Sequence, residues 1–159
     1  MPNIFHISEI VDLGIEKERK RRDFYDLASE FSKEPKLKDL FKQLRDWEEE
    51  HIRRFTAIRE GLEDSEVQET YPGELSAYMQ SLVDEKLYTV VTPQEFKKRV
   101  TTGLEAINFG ISFEKDAVLF FSELKKYTTS SHQAVIKQLI NEEKQHIVYL
   151  VDLAKELKS

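Results

Sequence analysis

The two halves of this 159-residue chain carry the same pattern of polar residues on helical apolar stripes. The first half has Gly14-Ile15, then Glu18, Phe24-Tyr25 and Glu48-Glu49-Glu50-His51. The second has Gly110-Ile111, then Glu114, Phe120-Phe121 and Glu143-Lys144-Gln145-His146. The lone glutamates stand 96 positions apart (18 to 114) and the Glu-x-x-His pairs 95 apart (48 to 143, 51 to 146). Each of these groups falls among apolar residues at the 3–4 spacing of one helix face, so a helix formed there turns a carboxylate or imidazole inward. Buried carboxylates are costly unless paired or coordinated. The fold must therefore gather these groups and neutralise them.

The spacing predicts four long helices over about 8–31, 35–60, 93–127 and 131–157, with a connection over 62–92, in one all-α domain spanning 1–159. Ser8 followed by Glu9 is the expected first cap. The inner positions of the first helix are Ile7, Val11, Gly14, Glu18, Arg21 or Arg22, Tyr25 and Ala28. Pro35 suits a first helical turn and Gly61 a C-terminal cap. The second stripe is Leu37, Leu40, Phe41, Leu44, Glu48, His51, Phe55 and Ile58. Tyr71-Pro72-Gly73 is a turn signal, and a short amphipathic segment follows around Leu75 to Leu87. Thr92-Pro93-Gln94-Glu95 reads as a cap, a first-turn proline and a capping-box glutamate. The third stripe is Gly103, Ile107, Gly110, Glu114, Ala117 or Val118, Phe121 and Leu124; the fourth is Ile136, Leu139, Glu143, His146, Leu150 and Leu153.

These helices bring the polar groups to one level. Glu18 stands 13 residues before Phe31 and Glu48 13 after Pro35; Glu114 stands 13 before Tyr127 and Glu143 13 after Ser130. At a rise of about 1.5 Å per residue, each lies roughly 20 Å from the turn of its own hairpin. The long connection can run the length of the bundle, so two antiparallel hairpins pack with their polar levels together.

One lone Glu and one Glu-x-x-His per half is the ligand set of a carboxylate-bridged di-metal site in a four-helix bundle. The expected ligands are Glu18, Glu48, His51, Glu114, Glu143 and His146. Glu48 and Glu143 would bridge, Glu18 and Glu114 would each cap one ion, and the histidines would give one nitrogen each. Such donors suit two iron ions per chain, with manganese or zinc also able to bind. The chain has no Cys, which excludes disulfides, iron–sulfur clusters and thiolate zinc sites.

Tyr25, two turns beyond Glu18, is either a hydrogen-bond donor or redox phenol beside the site, or a core tyrosine. Arg22, four residues after Glu18, is favoured for charge compensation or peroxide positioning, and Arg21 for a boundary position with its head in solvent. An Arg–carboxylate pair in a metal-free form is the alternative. Trp47 should point off the inner stripe, against another helix or a subunit. Glu49, Glu50, Glu142 and Asp46 should form a solvated face, and His6 and His132 should not be ligands.

The net charge of −6 gives no basic stripe for nucleic acid. No apolar run approaches the ~20 residues that span a bilayer. No signal-peptide pattern opens the chain. The expected location is cytoplasmic.

Glu18 with Phe24-Tyr25, Glu48-x-x-His51, Glu114 with Phe120-Phe121 and Glu143-x-x-His146 resemble the rubrerythrin-type branch of the ferritin-like di-iron carboxylate family. The pattern Glu18, Arg22, Tyr25 is also similar to that of rubrerythrin first helices. The resemblance implies a ferritin-like antiparallel four-helix bundle of two hairpins joined by a long crossover. It implies an oxidoreductase that reduces hydrogen peroxide or dioxygen at a di-iron site, and a homodimer. Two features depart from the family. A Cys-rich rubredoxin domain is not present in a chain without Cys, so electrons are expected from an external donor protein. The extra glutamate that rubrerythrins carry one turn before the third-helix ligand is replaced by Gly110 and Ile111. The alternatives are an iron oxidation and storage protein of ferritin type, and a non-catalytic metal-stabilised bundle.

Overall fold

The computed structural model of the chain describes residues 6–62, 78, 81 and 86–158. Five helices lie in these segments: α1 (Ile7–Phe31), α2 (Pro35–Glu60), α3 (Pro93–Arg99), α4 (Gly103–Lys125) and α5 (Ser130–Lys158), with a single 3₁₀ turn at Lys86–Val90. The turn signal at Tyr71-Pro72-Gly73 and most of the segment around 75–87 lie outside the described residues.

Local chemistry sets the helix ends. His6 caps α1, one turn ahead of Glu9, whose carboxylate accepts from the His6 amide at 3.4 Å. The cap is therefore two residues earlier than the expected Ser8. Glu34 caps α2 by accepting from the amides of Lys36 and Leu37, and Pro35 takes the first turn. The α4–α5 turn is held by the Gln133 side chain, which donates to the carbonyls of Lys125 and Thr128 at 3.2 and 3.0 Å.

The single helix expected over 93–127 is two helices. Val100 is extended (φ −119°, ψ 103°), and Thr102 caps a new helix by accepting from the Glu105 amide at 3.1 Å. The Glu105 carboxylate accepts from the Thr101 amide and hydroxyl at 3.2 and 2.9 Å. Thr102-Gly103-Leu104-Glu105 is thus itself a capping sequence, and satisfying these end donors outweighs continuing the helix through Val100.

Ion pairs and contacts fix the arrangement. Arg22–Glu49, Arg45–Asp26 and Arg59–Asp12 join α1 and α2 as an antiparallel pair. Arg54–Glu142 and Lys36–Glu156 do the same for α2 and α5. Gly14 faces Phe120, and Gly110 faces Tyr25, so α1 and α4 are also antiparallel. α1 and α5 therefore run one way, and α2 and α4 the other. This is a ferritin-like four-helix bundle of two hairpins, with α3 and the 3₁₀ turn belonging to the connection.

Two apolar clusters divide the core. One holds Ile7, Val11, Phe55, Phe120, Phe121 and Leu139. The other holds Phe24, Tyr25, Phe41, Phe113, Ile107 and Leu150. Each fully buried phenylalanine contributes roughly 1.5–3 kcal/mol relative to exposure. Between the clusters lie the inward polar groups at mid-bundle, where apolar packing at both ends holds them out of water. No helix among the described residues is long and apolar enough to cross a membrane.

Candidate metal centre

Glu18, Glu48, Glu114 and Glu143 are fully buried, and His51 and His146 are 1% and 4% exposed. Each comes from the mid-section of a different long helix or, for the histidines, from one turn further along the same helix as Glu48 or Glu143. A Glu-x-x-His spacing puts both groups on one face. His51 Nδ1 contacts Glu143 directly and lies 3.4 Å from Glu48 Oε2 and 3.9 Å from Glu18 Oε2. His146 Nδ1 lies 3.2 Å from Glu48 Oε1, 3.4 Å from Glu114 Oε1 and 3.6 Å from Glu143 Oε2. Two tetrads result, Glu18–Glu48–His51–Glu143 and Glu48–Glu114–Glu143–His146, each with its ligating atoms within 4.8 Å of one another. Glu48 and Glu143 belong to both.

The electrostatics are those of a site filled by protons when cations are absent. Burial raises Glu18 well above the usual carboxyl range, with Arg21 opposing and Glu48 and Glu143 reinforcing the rise. Burial likewise raises Glu114, helped by Glu143 and Glu48. Burial also pushes Glu48 upward, but the neighbouring Glu18 carboxyl and the two histidines outweigh it and hold Glu48 well below the usual range. Glu143 is raised by burial and Glu48, yet His51, Glu114 and His146 bring it down to about 2. Burial opposes charge on His51, but Glu143 and Glu48 lift it to about 11. His146 is lifted further by Glu114, Glu143 and Glu48 against the same burial. The outer glutamates thus favour the acid form, the shared glutamates are anions, and both imidazoles hold protons.

The donor set fits metal. Both oxygens of Glu18, Glu48 and Glu143, Oε2 of Glu114 and Nδ1 of both histidines are buried against one another or against Arg21 but in no well-oriented hydrogen bond, as are the three guanidinium nitrogens of Arg21. Such carboxylates and imidazoles are costly in a core unless a cation meets them. Carboxylate oxygens and imidazole nitrogens in this number suit two divalent ions.

Tyr25 is fully buried, and its hydroxyl donates to Glu114 Oε1 at 2.6 Å. Burial, then the charge of Glu114, raises the phenol well above its ordinary value, so it remains a donor. Its ring stacks on Phe41 and meets Phe24 edge-on.

Arg22 is not at the site. It is part-exposed and pairs with Glu49 at 2.8 Å and Asp23 at 3.1 Å. Arg21 takes the inward place: it is fully buried, contacts Glu18 directly and lies 3.7 Å from Glu48 Oε2. The reason is angular. At about 100° per residue, Arg21, Lys17 and Phe24 fall on one side of Glu18 and Arg22 on the other. The buried arc of α1 is centred on the Arg21 side, where Lys17 and Phe24 are also buried, while Arg22 faces the α2 surface. The Glu18–Arg21 contact lies at i, i+3 on one helix, a spacing that Arg22 at i, i+4 matches equally well, so the two were not separable by spacing alone.

Two further residues flank the site: Trp47, expected against another helix or a subunit, meets another helix, while the contacts of Glu142 were not legible. Trp47 packs on α5, stacked on His146 (5.1 Å between centroids, 10°) and on Tyr149. Glu142 is not simply solvated: it forms a two-pronged pair with Arg54 at 2.7 and 2.9 Å and lies 3.9 Å from His51 Nε2. Trp47 and Glu142 each precede the glutamate of their Glu-x-x-His pair, so the same position meets the opposite helix's histidine with different chemistry. On the far side of α1, buried Lys17 pairs with Asp116 at 2.8 Å, and Tyr88 donates to the same carboxylate.

A crystal structure from Thermotoga maritima, described as a candidate ferritin-like diiron-carboxylate protein, superposes with a TM-score of 0.72 at 24% identity, covering 98% of this chain and 99% of that one. No curated protein matches the chain. The family profile described as Rubrerythrin matches residues 9–154, a span that takes in all six converging ligand candidates. With that match over nearly its whole length, the chain belongs to the rubrerythrin family.

Proposed function

We propose that the protein is a di-iron carboxylate oxidoreductase that reduces hydrogen peroxide or dioxygen with electrons from an external donor protein. The observation that supports it most is the pair of buried tetrads sharing Glu48 and Glu143. Glu18 and His51 would hold one ion, Glu114 and His146 the other, and the shared glutamates would lie between. Two ferrous ions bound there would supply two electrons, which with two protons convert one hydrogen peroxide to two waters, and the donor would return the electrons.

The chain's own residues set the conditions. Tyr25 holds Glu114 in one orientation through its short hydrogen bond. Trp47 fixes the ring plane of His146 by stacking. A cleft of about 170 Å³ lined by Trp47, Glu142, Gln145, His146 and Tyr149 brings solvent to the edge of His146 and suits entry of a small oxidant. Phenylalanines 55, 113, 120 and 121 on the other sides exclude water. That exclusion strengthens every charge interaction inside.

The test is metal analysis of protein produced with iron, followed by stopped-flow mixing of the ferrous form with peroxide and with dioxygen. About two irons per chain and faster oxidation by peroxide are expected for a peroxidase. Faster reaction with dioxygen would favour an oxidase or iron-storage role. Redox-silent zinc alone, or no metal, would overturn the oxidoreductase reading. Glu18→Ala and His146→Ala should each lose at least one of the two ions and most turnover.

A further inference from the structure

The pseudo-symmetry of the two halves fails at the residues that touch the outer glutamates. Arg21 corresponds to Ala117 in the repeat, and Tyr25 to Phe121. Both polar members of these pairs come from α1, but they act on different glutamates. Arg21 contacts Glu18 and approaches Glu48. Tyr25 reaches across to Glu114. The tetrad containing Glu18 and His51 therefore has a permanent cation on its outer carboxylate. The tetrad containing Glu114 and His146 has a neutral hydroxyl in the equivalent role.

We infer that Arg21 makes the two metal positions unequal, so that the Glu114–His146 position fills first and tightly while the Glu18–His51 position fills second and weakly. The inference rests on the di-metal reading above and deepens it. A guanidinium is charged at every accessible pH and cannot be displaced by losing a proton. A divalent ion entering beside Glu18 must draw that carboxylate away from Arg21 and then sit close to a buried positive charge. Arg21 is fully buried between Glu18, Glu48 and the Phe121 ring, 5.8 Å from its guanidinium carbon, with Tyr88 close enough to interact with its charge, so the cation stays beside the site when an ion enters. An ion entering beside Glu114 meets the Tyr25 hydroxyl, which remains hydrogen-bonded to the carboxylate, and faces Arg21 only across the shared Glu48. Glu142 does not restore the balance, because its charge near His51 is matched by Arg54. Like charges held apart by one carboxylate in a low-dielectric core should weaken the second position by about tenfold or more.

Arg21 is thus a positioning residue for the second ion rather than a ligand. In the metal-free core it lies between Glu18 and the Glu48 anion. The protein could then hold one ion stably at low metal supply and become a dinuclear centre only when metal is plentiful.

The experiment is anaerobic titration of the chelator-treated protein with Mn(II), followed by calorimetry and by electron paramagnetic resonance. Manganese is a redox-inert probe here, and the spectrum separates isolated ions from coupled pairs. The wild-type protein should show isolated bound ions through the first equivalent and the coupled-pair signal only during the second. Glu18→Ala should keep the tight event and Glu114→Ala only the weak one. Arg21→Met should bring the second constant to within about threefold of the first, whereas Arg21→Lys should keep them apart and the surface change Arg22→Gln should alter neither. Two equal events in the wild type, or a Glu18→Ala protein that loses the tighter event, would overturn the inference and leave the di-metal reading standing. Unchanged constants in folded Arg21→Met would do the same. Failure to bind manganese at all would overturn both. The wild-type, Glu18 and Glu114 measurements decide the matter even where Arg21→Met does not fold.

Discussion

Tyr25→Phe removes one oxygen from the centre of the bundle and little else. The ring stays between Phe24 and Phe41, at centroid distances of 5.7 and 6.0 Å, so the apolar burial is kept. What disappears is the donor to Glu114 Oε1 at 2.6 Å, together with a long contact to the Gly110 carbonyl at 3.4 Å. In the metal-free protein Glu114 favours the neutral acid, so the lost bond is of the neutral kind and costs about 0.5–1.5 kcal/mol. For a chain of this length, each kcal/mol corresponds to about 2–4 °C in Tm. With metal bound, Glu114 must be a carboxylate, and a hydrogen bond to a charged group is worth about 1.5–3 kcal/mol. The difference, about 1–1.5 kcal/mol, falls on metal binding and corresponds to roughly a tenfold loss of affinity at the Glu114 position. Thermal melts of the chelated and Mn(II)-loaded forms, with a Mn(II) titration of wild type and variant, measure both quantities. If the variant lost as much stability without metal as with it, and bound Mn(II) as tightly as wild type, the assignment of Tyr25 as an orienting donor would be wrong.

Two further outcomes follow from the same geometry. His51 has a folded pKa of about 11 against an ordinary value of 6.5, so its contribution to the metal-free protein is complete below the unfolded value and declines as pH rises toward the folded one. The slope reaches about 1.4 kcal/mol per pH unit for this group, and the raised Glu18 and Glu114 act in the same direction from lower pH. Glu143, lowered to about 2, contributes above its unfolded value of 4.5 and loses that contribution as pH falls through 2. Chelated protein should therefore melt at lower temperature at pH 9 than at pH 6, while metal affinity rises with pH because the ligands must release protons; a chelated protein more stable at pH 9 would contradict this. Gly110→Ala should act on the site from outside it. Its Cβ would lie 3.3 Å from Tyr25 Cε1 and 3.5 Å from the hydroxyl, and 3.2 Å from Leu150 Cδ1. A gain of up to about 1 kcal/mol in helix propensity should offset the crowding, leaving Tm little changed while Mn(II) affinity falls as in Tyr25→Phe; unaltered affinity would count against the close approach.

Much of the site was legible because its parts are local. Glu48 with His51, and Glu143 with His146, sit one turn apart on the same helices, and equal distances from each hairpin turn put the pairs at one level. The break at Val100 was also written locally, as Thr102 to Glu105, but the stronger capping signal at Thr92 masked it. Arg21 and Arg22 are one residue apart, and both positions border the stripe. Choosing between them needs the direction in which α1 faces α4, which depends on Gly14 against Phe120 and on Tyr25 against Gly110. Trp47 and Glu142 sit beside the stripe, and their partners lie on the facing helix, about a hundred residues away in the chain.

By itself the sequence determined the helices, their inward stripes and six groups that must share a core, because 3.6-residue periodicity and the cost of burying charge act within a single helix and need no knowledge of its neighbours. Only the tertiary structure decided which neighbour each outer glutamate meets. Helix rotation turns Arg21 rather than Arg22 into the core beside Glu18, a contact within α1, and close packing between α1 and α4 puts a phenol on Glu114; together they break the symmetry that the repeat suggests.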